Sequence, residues 1–166
     1  MTQKTAIYPG AFDPITYGHL DVVKRALKIF DRIIIAVFES PVKPKILFSP
    51  DERVSMIMDA IKSYGLDTNV IEVEKFSGLL VDHMKKKNVH FIVRGLRAIS
   101  DFDVEFQMAA VNKDMDNSIE TILMPTDKKY FYLNSTLVKD LAKYGGQLGE
   151  FVPKNVEAEL RKKFSG

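Results

Sequence analysis

The stretch Gly10-Ala11-Phe12-Asp13-Pro14-Ile15-Thr16-Tyr17-Gly18-His19 leads from a short apolar run into an amphipathic one. Its residue types suit a phosphate. Two glycines let a backbone approach a ligand closely, and a helix opened here presents unpaired N–H groups and the positive end of its dipole to an anion. His19, in the first turn, can donate a hydrogen bond to a phosphate oxygen. The plain alternative is ordinary turn chemistry with a surface histidine.

Two further segments bear on that choice. Arg94 and Arg97 bracket Gly95 and Leu96 after a β-rich run, and guanidinium groups offer phosphate two parallel donors while staying charged at every relevant pH. The alternative for either arginine is a salt bridge to Asp101, Asp103 or Glu105. Lys43 lies in a loop stiffened by Pro41 and Pro44, where a lysine is ordinarily just solvated.

The chain has no G-x-x-x-x-G-K-[ST] loop, no G-x-G-x-x-G fingerprint, no H-E-x-x-H and no G-x-S-x-G elbow. His19, His83 and His90 lack metal-ligand spacing, and His83 and His90 read as structural or surface groups. The run Lys85-Lys86-Lys87 sits at a helix end, where cations meet the negative end of the dipole. Phe102, Phe106, Met108, Met115 and Met124 read as core or inter-subunit packing.

Positioning these groups requires elements whose ends meet. Strand-like runs fall at residues 5–8, 32–38, 69–73, 90–93 and 121–124. Helical periodicity falls at 19–30, from a Ser49-Pro50-Asp51-Glu52 capping box to Gly65, and at 77–87, 101–115, 135–144 and 154–164. The continuous run Ile33-Ile34-Ile35-Ala36-Val37 is what a parallel sheet buries on both faces. The expected fold is α/β: a doubly wound, five-stranded parallel sheet with C-terminal helices, in a single domain over residues 1–166. Such sheets bind ligands outside the carboxyl ends of their strands. The loops after residues 8, 38, 93 and 124 are therefore expected to carry the chemistry.

Composition sets the outer bounds. The 166 residues are 46% apolar and 28% charged, and 24 basic against 22 acidic side chains leave a net charge of +2. That balance argues against nucleic acid or an anionic membrane as partner. The absence of cysteine excludes a disulfide framework, a thiolate-held zinc and a catalytic thiol. With neither a signal peptide nor an apolar stretch of about 18 residues, the expected location is the cytoplasm.

Tyr8-Pro9-Gly10-Ala11-Phe12-Asp13-Pro14, Thr16-Tyr17-Gly18-His19, Arg94-Gly95-Leu96-Arg97-Ala98 and Leu133-Asn134-Ser135-Thr136-Leu137-Val138-Lys139 together resemble the bacterial phosphopantetheine adenylyltransferases, which carry a T/H-x-G-H signature. The resemblance runs through nearly the whole chain. It implies a Rossmann-like nucleotidyltransferase fold and adenylyl transfer from ATP to 4′-phosphopantetheine with Mg²⁺, giving dephospho-coenzyme A and pyrophosphate. It implies catalytic roles for His19, Lys43 and Arg97. Ala11, Phe12, His19, Gly95, Leu96, Arg97, Glu105, Tyr130, Phe131, Tyr132, Leu133, Asn134, Ser135 and Thr136 would bind ATP. Ala11, Lys43, Leu80 and Arg94 would bind the acceptor, with no protein ligand for the metal. A homohexamer and feedback inhibition by coenzyme A are also implied.

Two departures stand out. Ala11 replaces the family's Thr or Ser, removing a hydroxyl that helps hold the acceptor phosphate, and Leu133-Asn134-Ser135-Thr136 replaces Ile-Ser-Ser-Ser. Val104 also replaces a common aromatic. The alternatives are another adenylyl- or cytidylyltransferase and a catalytically impaired nucleotide-binding regulator. All of these readings need His19, Lys43 and the two arginines to converge on one electropositive hollow.

Overall fold

Strands and helices alternate along the chain, which the computed structural model describes over residues 3–39 and 46–165. Strands β1 (Thr5–Gly10), β2 (Arg32–Phe38), β3 (Ile71–Phe76), β4 (Phe91–Leu96) and β5 (Glu120–Pro125) form one sheet in the order β3-β2-β1-β4-β5. Every neighbouring pair is parallel. The helices are α1 (Tyr17–Ala26), α2 (Pro50–Ser63), α3 (Leu80–Lys87), α4 (Ile99–Met115), α5 (Ser135–Lys143) and α6 (Lys154–Phe164), with a 3₁₀ turn at Lys128–Tyr130.

The run in β2 explains the layering. Side chains alternate across a strand, so Ile33, Ile35 and Val37 enter a core with Val23 of α1, Ile57 of α2, Val138 of α5 and Leu160 of α6. Ile34 and Ala36 enter a second core with Val81 and Met84 of α3. Both faces of the strand are thus covered, as its unbroken apolar sequence requires. Helix α4 lies beside β4 and β5 but leaves much of its apolar surface outward. Phe102, Phe106, Met108 and Met115 are exposed, whereas Met124 is buried. A core role therefore fails for the first four and holds for Met124.

Helices α1, α2 and α5 start at capping side chains. Ser49 and Glu52 close a reciprocal box at α2, and Thr16 with His19 closes one at α1. The structure moves several sequence-drawn boundaries. Helix α1 begins two residues earlier than its apolar stripe suggested, because Thr16 caps it. Strand β3 starts later, since Asp67 accepts the Asn69 N–H in a turn and pairing with β2 begins at Ile71. Helix α3 starts later because Gly78 has φ +79°, outside the helical region. Strand β4 runs on to Leu96, placing Arg94 within the strand.

From β1 the chain proceeds outward to β2 and β3, then returns to add β4 and β5 on the other side. The crevice outside the carboxyl ends of β1 and β4 is the point of reversal, where an open parallel sheet places its ligand.

Candidate active site

A cavity of about 450 Å³ opens at that reversal point, lined from the β1 end by Tyr8 to Asp13 and from the β4 end by Arg94, Gly95 and Arg97. The β1 exit turns sharply, and Phe12 adopts φ +47°, an arrangement that costs a bulky L-residue about 1–2 kcal/mol. Packing holds it there. The Phe12 ring meets Tyr8 edge-on at 5.2 Å and His19 at 5.1 Å. A Cβ on Gly10 would stand 3.0 Å from that ring, so Gly10 makes room for Phe12 as well as bordering the cavity.

His19 projects from the first turn of α1 into the cavity wall. Its Nδ1 accepts the Thr16 main-chain N–H at 3.0 Å, which leaves Nε2 as the protonated, donating nitrogen of a neutral ring. Burial, reinforced by the charges of Arg97 and Arg94, pushes its pKa down to about 4. His19 is thus a neutral hydrogen-bond donor, and the positive charge of the hollow comes from other groups. The free N–H groups expected at this helix start are also fewer: Tyr17 donates to the Phe151 carbonyl, and His19 N–H to Thr16 Oγ1.

Both arginines reach the cavity, and both hold carboxylates. Arg94 grips Glu105 through two parallel bonds, Nε to Oε2 at 2.7 Å and Nη2 to Oε1 at 2.6 Å, and Nη1 donates to the Pro9 carbonyl. Burial opposes its charge, but Glu105, then Tyr8 and Asp101, outweigh burial and hold the guanidinium above its ordinary pKa. Arg97 bonds Asp101 through Nε at 3.0 Å. Burial pushes the neighbouring Tyr8 phenol above its usual pKa. A third cation, Lys139 of α5, donates to Asp13 Oδ2 at 2.7 Å. The expected electropositive hollow is therefore charge-balanced among its described residues, with Arg94, Arg97 and Lys139 facing Glu105, Asp101 and Asp13.

Helix α5 supplies the opposite wall. Asn134 caps it by accepting the Leu137 N–H at 2.9 Å, and Ser135 Oγ donates to the Pro14 carbonyl at 2.8 Å, fastening α5 to the β1 exit. Tyr130, Leu133, Asn134, Ser135 and Thr136 all line the cavity, as do Ala11, Phe12, Gly95 and Glu105. Asn134 takes the capping role that a hydroxyl residue also fills.

Leu80 stands elsewhere. It lines a second, largely apolar cavity of about 710 Å³ with Phe38, Phe76 and Met108, and this cavity shares Ala11, Arg94 and Glu105 with the first. Three sequence-derived nucleotide contacts do not line either cavity. Leu96 ends β4, where its carbonyl accepts the Thr126 N–H at 2.7 Å. Phe131 and Tyr132 pack edge-on against each other at 5.0 Å, and Tyr132 is 83% exposed. Lys43 lies outside the described residues.

Asp13 and Lys139 stand in the segments that carry the resemblance, but the sequence assigned no role to either of them or to Arg53. Asp13 is buried and accepts the Leu47 and Phe48 N–H groups, both at 2.9 Å, besides Lys139. An Asp-Pro dipeptide signals only a turn, and no local spacing joins residue 13 to residue 139.

A resident metal cage does not fit this donor set. No cluster of three metal-ligating side chains occurs among the described residues, and each carboxylate lining the cavity is already bonded to a cation. Any Mg²⁺ would have to take its ligands mainly from phosphate and water.

The fold and site define a nucleotidyltransferase of the cytidylyltransferase-like class, whose family model matches residues 7–141. A phosphopantetheine adenylyltransferase of Caldanaerobacter subterraneus subsp. tengcongensis is 49% identical over 161 residues, covering 97% of this chain and 98% of that protein. One from Clostridium botulinum strain Langeland is 49% identical over 162 residues, covering 98% and 96%. Within the class, the chain belongs to the phosphopantetheine adenylyltransferase family. Among solved structures, a bifunctional NMN adenylyltransferase/ADP ribose pyrophosphatase from Francisella tularensis superposes with a TM-score of 0.76 at 18% identity, over 99% of this chain. This chain spans about half of that protein (51%), and the likeness concerns the fold.

Proposed function

We propose that this protein, acting as a single domain, transfers the adenylyl group of ATP to 4′-phosphopantetheine, releasing pyrophosphate and dephospho-coenzyme A in coenzyme A synthesis. The observation that carries the reading is the junction of two unlike cavities at Ala11, Arg94 and Glu105. One is of mixed polarity and gathers Arg94, Arg97, Lys139 and His19, groups suited to a triphosphate. The other is apolar and passes Leu80, suited to an uncharged arm whose phosphate ends at the junction.

The reaction needs no covalent enzyme intermediate. A phosphate monoester has its second pKa near 6, so at neutral pH the acceptor is already a dianion and needs no strong base. Its oxygen attacks the α-phosphorus, a P–O bond forms, the bond from that phosphorus to the β-bridging oxygen breaks, and pyrophosphate leaves with the electron pair. The chain's contribution is positioning and charge stabilisation. His19 Nε2–H donates to the α-phosphoryl oxygen as charge gathers there. Arg97, with Asn134, Ser135 and Thr136 at the α5 terminus, holds the triphosphate, while Arg94 and the loop bearing Lys43 hold the acceptor. Any Mg²⁺ would be held mainly by the nucleotide phosphates and water and would supply neutralisation of their charge.

The arginine–carboxylate pairs add a requirement: incoming phosphates compete with Glu105 and Asp101 for the guanidinium groups. The reading extends to a cytoplasmic homohexamer built through the exposed apolar side chains of α4, and to feedback inhibition by coenzyme A at the acceptor cavity. No helix among the described residues is long and apolar enough to cross a membrane.

The deciding experiment follows pyrophosphate release by purified protein given ATP, Mg²⁺ and 4′-phosphopantetheine, with nicotinamide mononucleotide as rival acceptor and CTP as rival donor. Release only with a rival overturns the assignment in favour of another nucleotidyltransferase. Tight ATP binding without turnover on any acceptor identifies an impaired regulator.

A further inference from the structure

Arg53 is 1% exposed, the largest fully buried side chain among the described residues, and it stands in the first turn of α2. Neither fact suits an arginine. The positive end of a helix dipole disfavours a cation, and a buried guanidinium must recover its lost hydration through hydrogen bonds. Burial does lower its pKa, with the charges of Asp13 and Glu39 working in the other direction.

Its hydrogen bonds go to main-chain carbonyls from three segments. Nε donates to Phe48 at 3.1 Å, and Nη1 donates to Ala11 at 2.6 Å and to Phe38 at 3.0 Å. These carbonyls belong to the entry of α2, the exit of β1 and the end of β2. No single strand or helix connects them, and one planar fork does.

The Ala11 contact bears on chemistry. Its carbonyl belongs to the peptide that precedes Phe12, the residue forced to φ +47°. Two residues earlier, the Pro9 carbonyl is held by Arg94. The backbone that borders both cavities is therefore anchored by a guanidinium on each side of Gly10. Where a Thr or Ser hydroxyl is absent, as at Ala11, the placement of this peptide governs what the junction offers a phosphate.

We infer that Arg53 is a positioning residue for the acceptor: by holding the Ala11 peptide against the ends of β2 and α2, it sets the junction at which the acceptor phosphate is bound. The inference rests on the adenylyl-transfer reading. It assigns Arg53 no contact with either substrate.

The test is steady-state kinetics on the native protein, R53K and R53M, varying ATP and 4′-phosphopantetheine separately, with Tm measured alongside. R53K keeps the charge and most of the volume but cannot span three carbonyls with a planar fork. It is expected to raise the acceptor KM tenfold or more and leave the ATP KM within twofold. R53M is expected to do the same or more; if it does not fold, R53K decides alone. A lowered Tm with both KM values unchanged, or equal losses for both substrates, makes Arg53 merely structural and overturns the inference. Native protein that forms no product with 4′-phosphopantetheine overturns the reaction reading and this inference together, whereas an active native enzyme with unaltered R53K kinetics overturns this inference alone.

Discussion

The Thr16 main-chain N–H donates to His19 Nδ1 at 3.0 Å, so the residue that caps α1 also selects the tautomer of the ring that lines the cavity. The donor at Nε2 is fixed before any ligand arrives. Such a preorganised donor typically contributes 10²–10³ in rate. His19→Ala is expected to lower kcat by that order and change the ATP KM less than threefold, and His19→Gln, which can place an amide near Nε2, should recover part of the loss. A higher ATP KM at unchanged kcat would assign His19 to ground-state binding instead.

The same ring gives a pH signature. Its folded pKa of about 4 lies below the ordinary 6.5, so the unfolded state takes up a proton first and stability falls as pH drops from about 6.5 towards 4. His19→Gln should flatten Tm against pH in that window. NMR of the ring carbons should show His19 titrating near 4. The acid limb of acceptor kcat/KM should follow the phosphate near pH 6 and persist in His19→Gln, and a limb that vanished in that variant would put His19 in the role of base.

Ala11 borders both cavities without a side-chain donor. A hydroxyl bonded to a charged phosphate contributes about 1.5–3 kcal/mol, or roughly ten- to hundredfold in affinity. Ala11→Thr is therefore expected to lower the acceptor KM by up to that factor, read from initial rates at saturating ATP. Unchanged kinetic constants would show that the hydroxyl has no place at this junction.

Arg94 grips Glu105 through two bonds, so removing the arginine does two things at once. Arg94→Met should raise the acceptor KM and, by stranding a half-buried carboxylate, lower Tm. Adding Glu105→Gln should restore Tm and leave the acceptor KM high. If the double variant recovered both, Arg94 would matter only as the partner of Glu105.

Much of this was legible in the chain because it is local. The apolar run of β2, the Ser49–Glu52 box and the loop from Gly10 to His19 that lines the cavity each lie within a dozen residues, and the parallel sheet then puts the strand ends together. The rest depends on distance. Residues 13 and 139 form an ion pair that only the sheet closes, and Arg53 looks like one charged residue beside an apolar stripe until its three carbonyls are seen. The salt bridges of Arg94 to Glu105 and Arg97 to Asp101 were legible as one of two readings of the arginines, but the outward face of α4 was not, because its apolar residues surround the helix and give no single inward stripe.

That helix carries the last prediction. Phe102 and Phe106 stack at 5.6 Å while 44% and 59% exposed, and Val104, Met108 and Val111 are each half exposed or more. Phe102 and Phe106 stand on one side of α4 and Val104, Met108 and Val111 on the other; large apolar side chains exposed around a helix mark an interaction surface, and a second copy of the chain is the occupant the hexamer reading requires. Phe106→Glu would place a charge in that contact, beside Glu105. Sedimentation velocity should then show native protein at six chains and the variant at fewer, with an unchanged far-ultraviolet circular dichroism spectrum. Native protein that sediments as a monomer would remove the hexamer and leave α4 to a different partner.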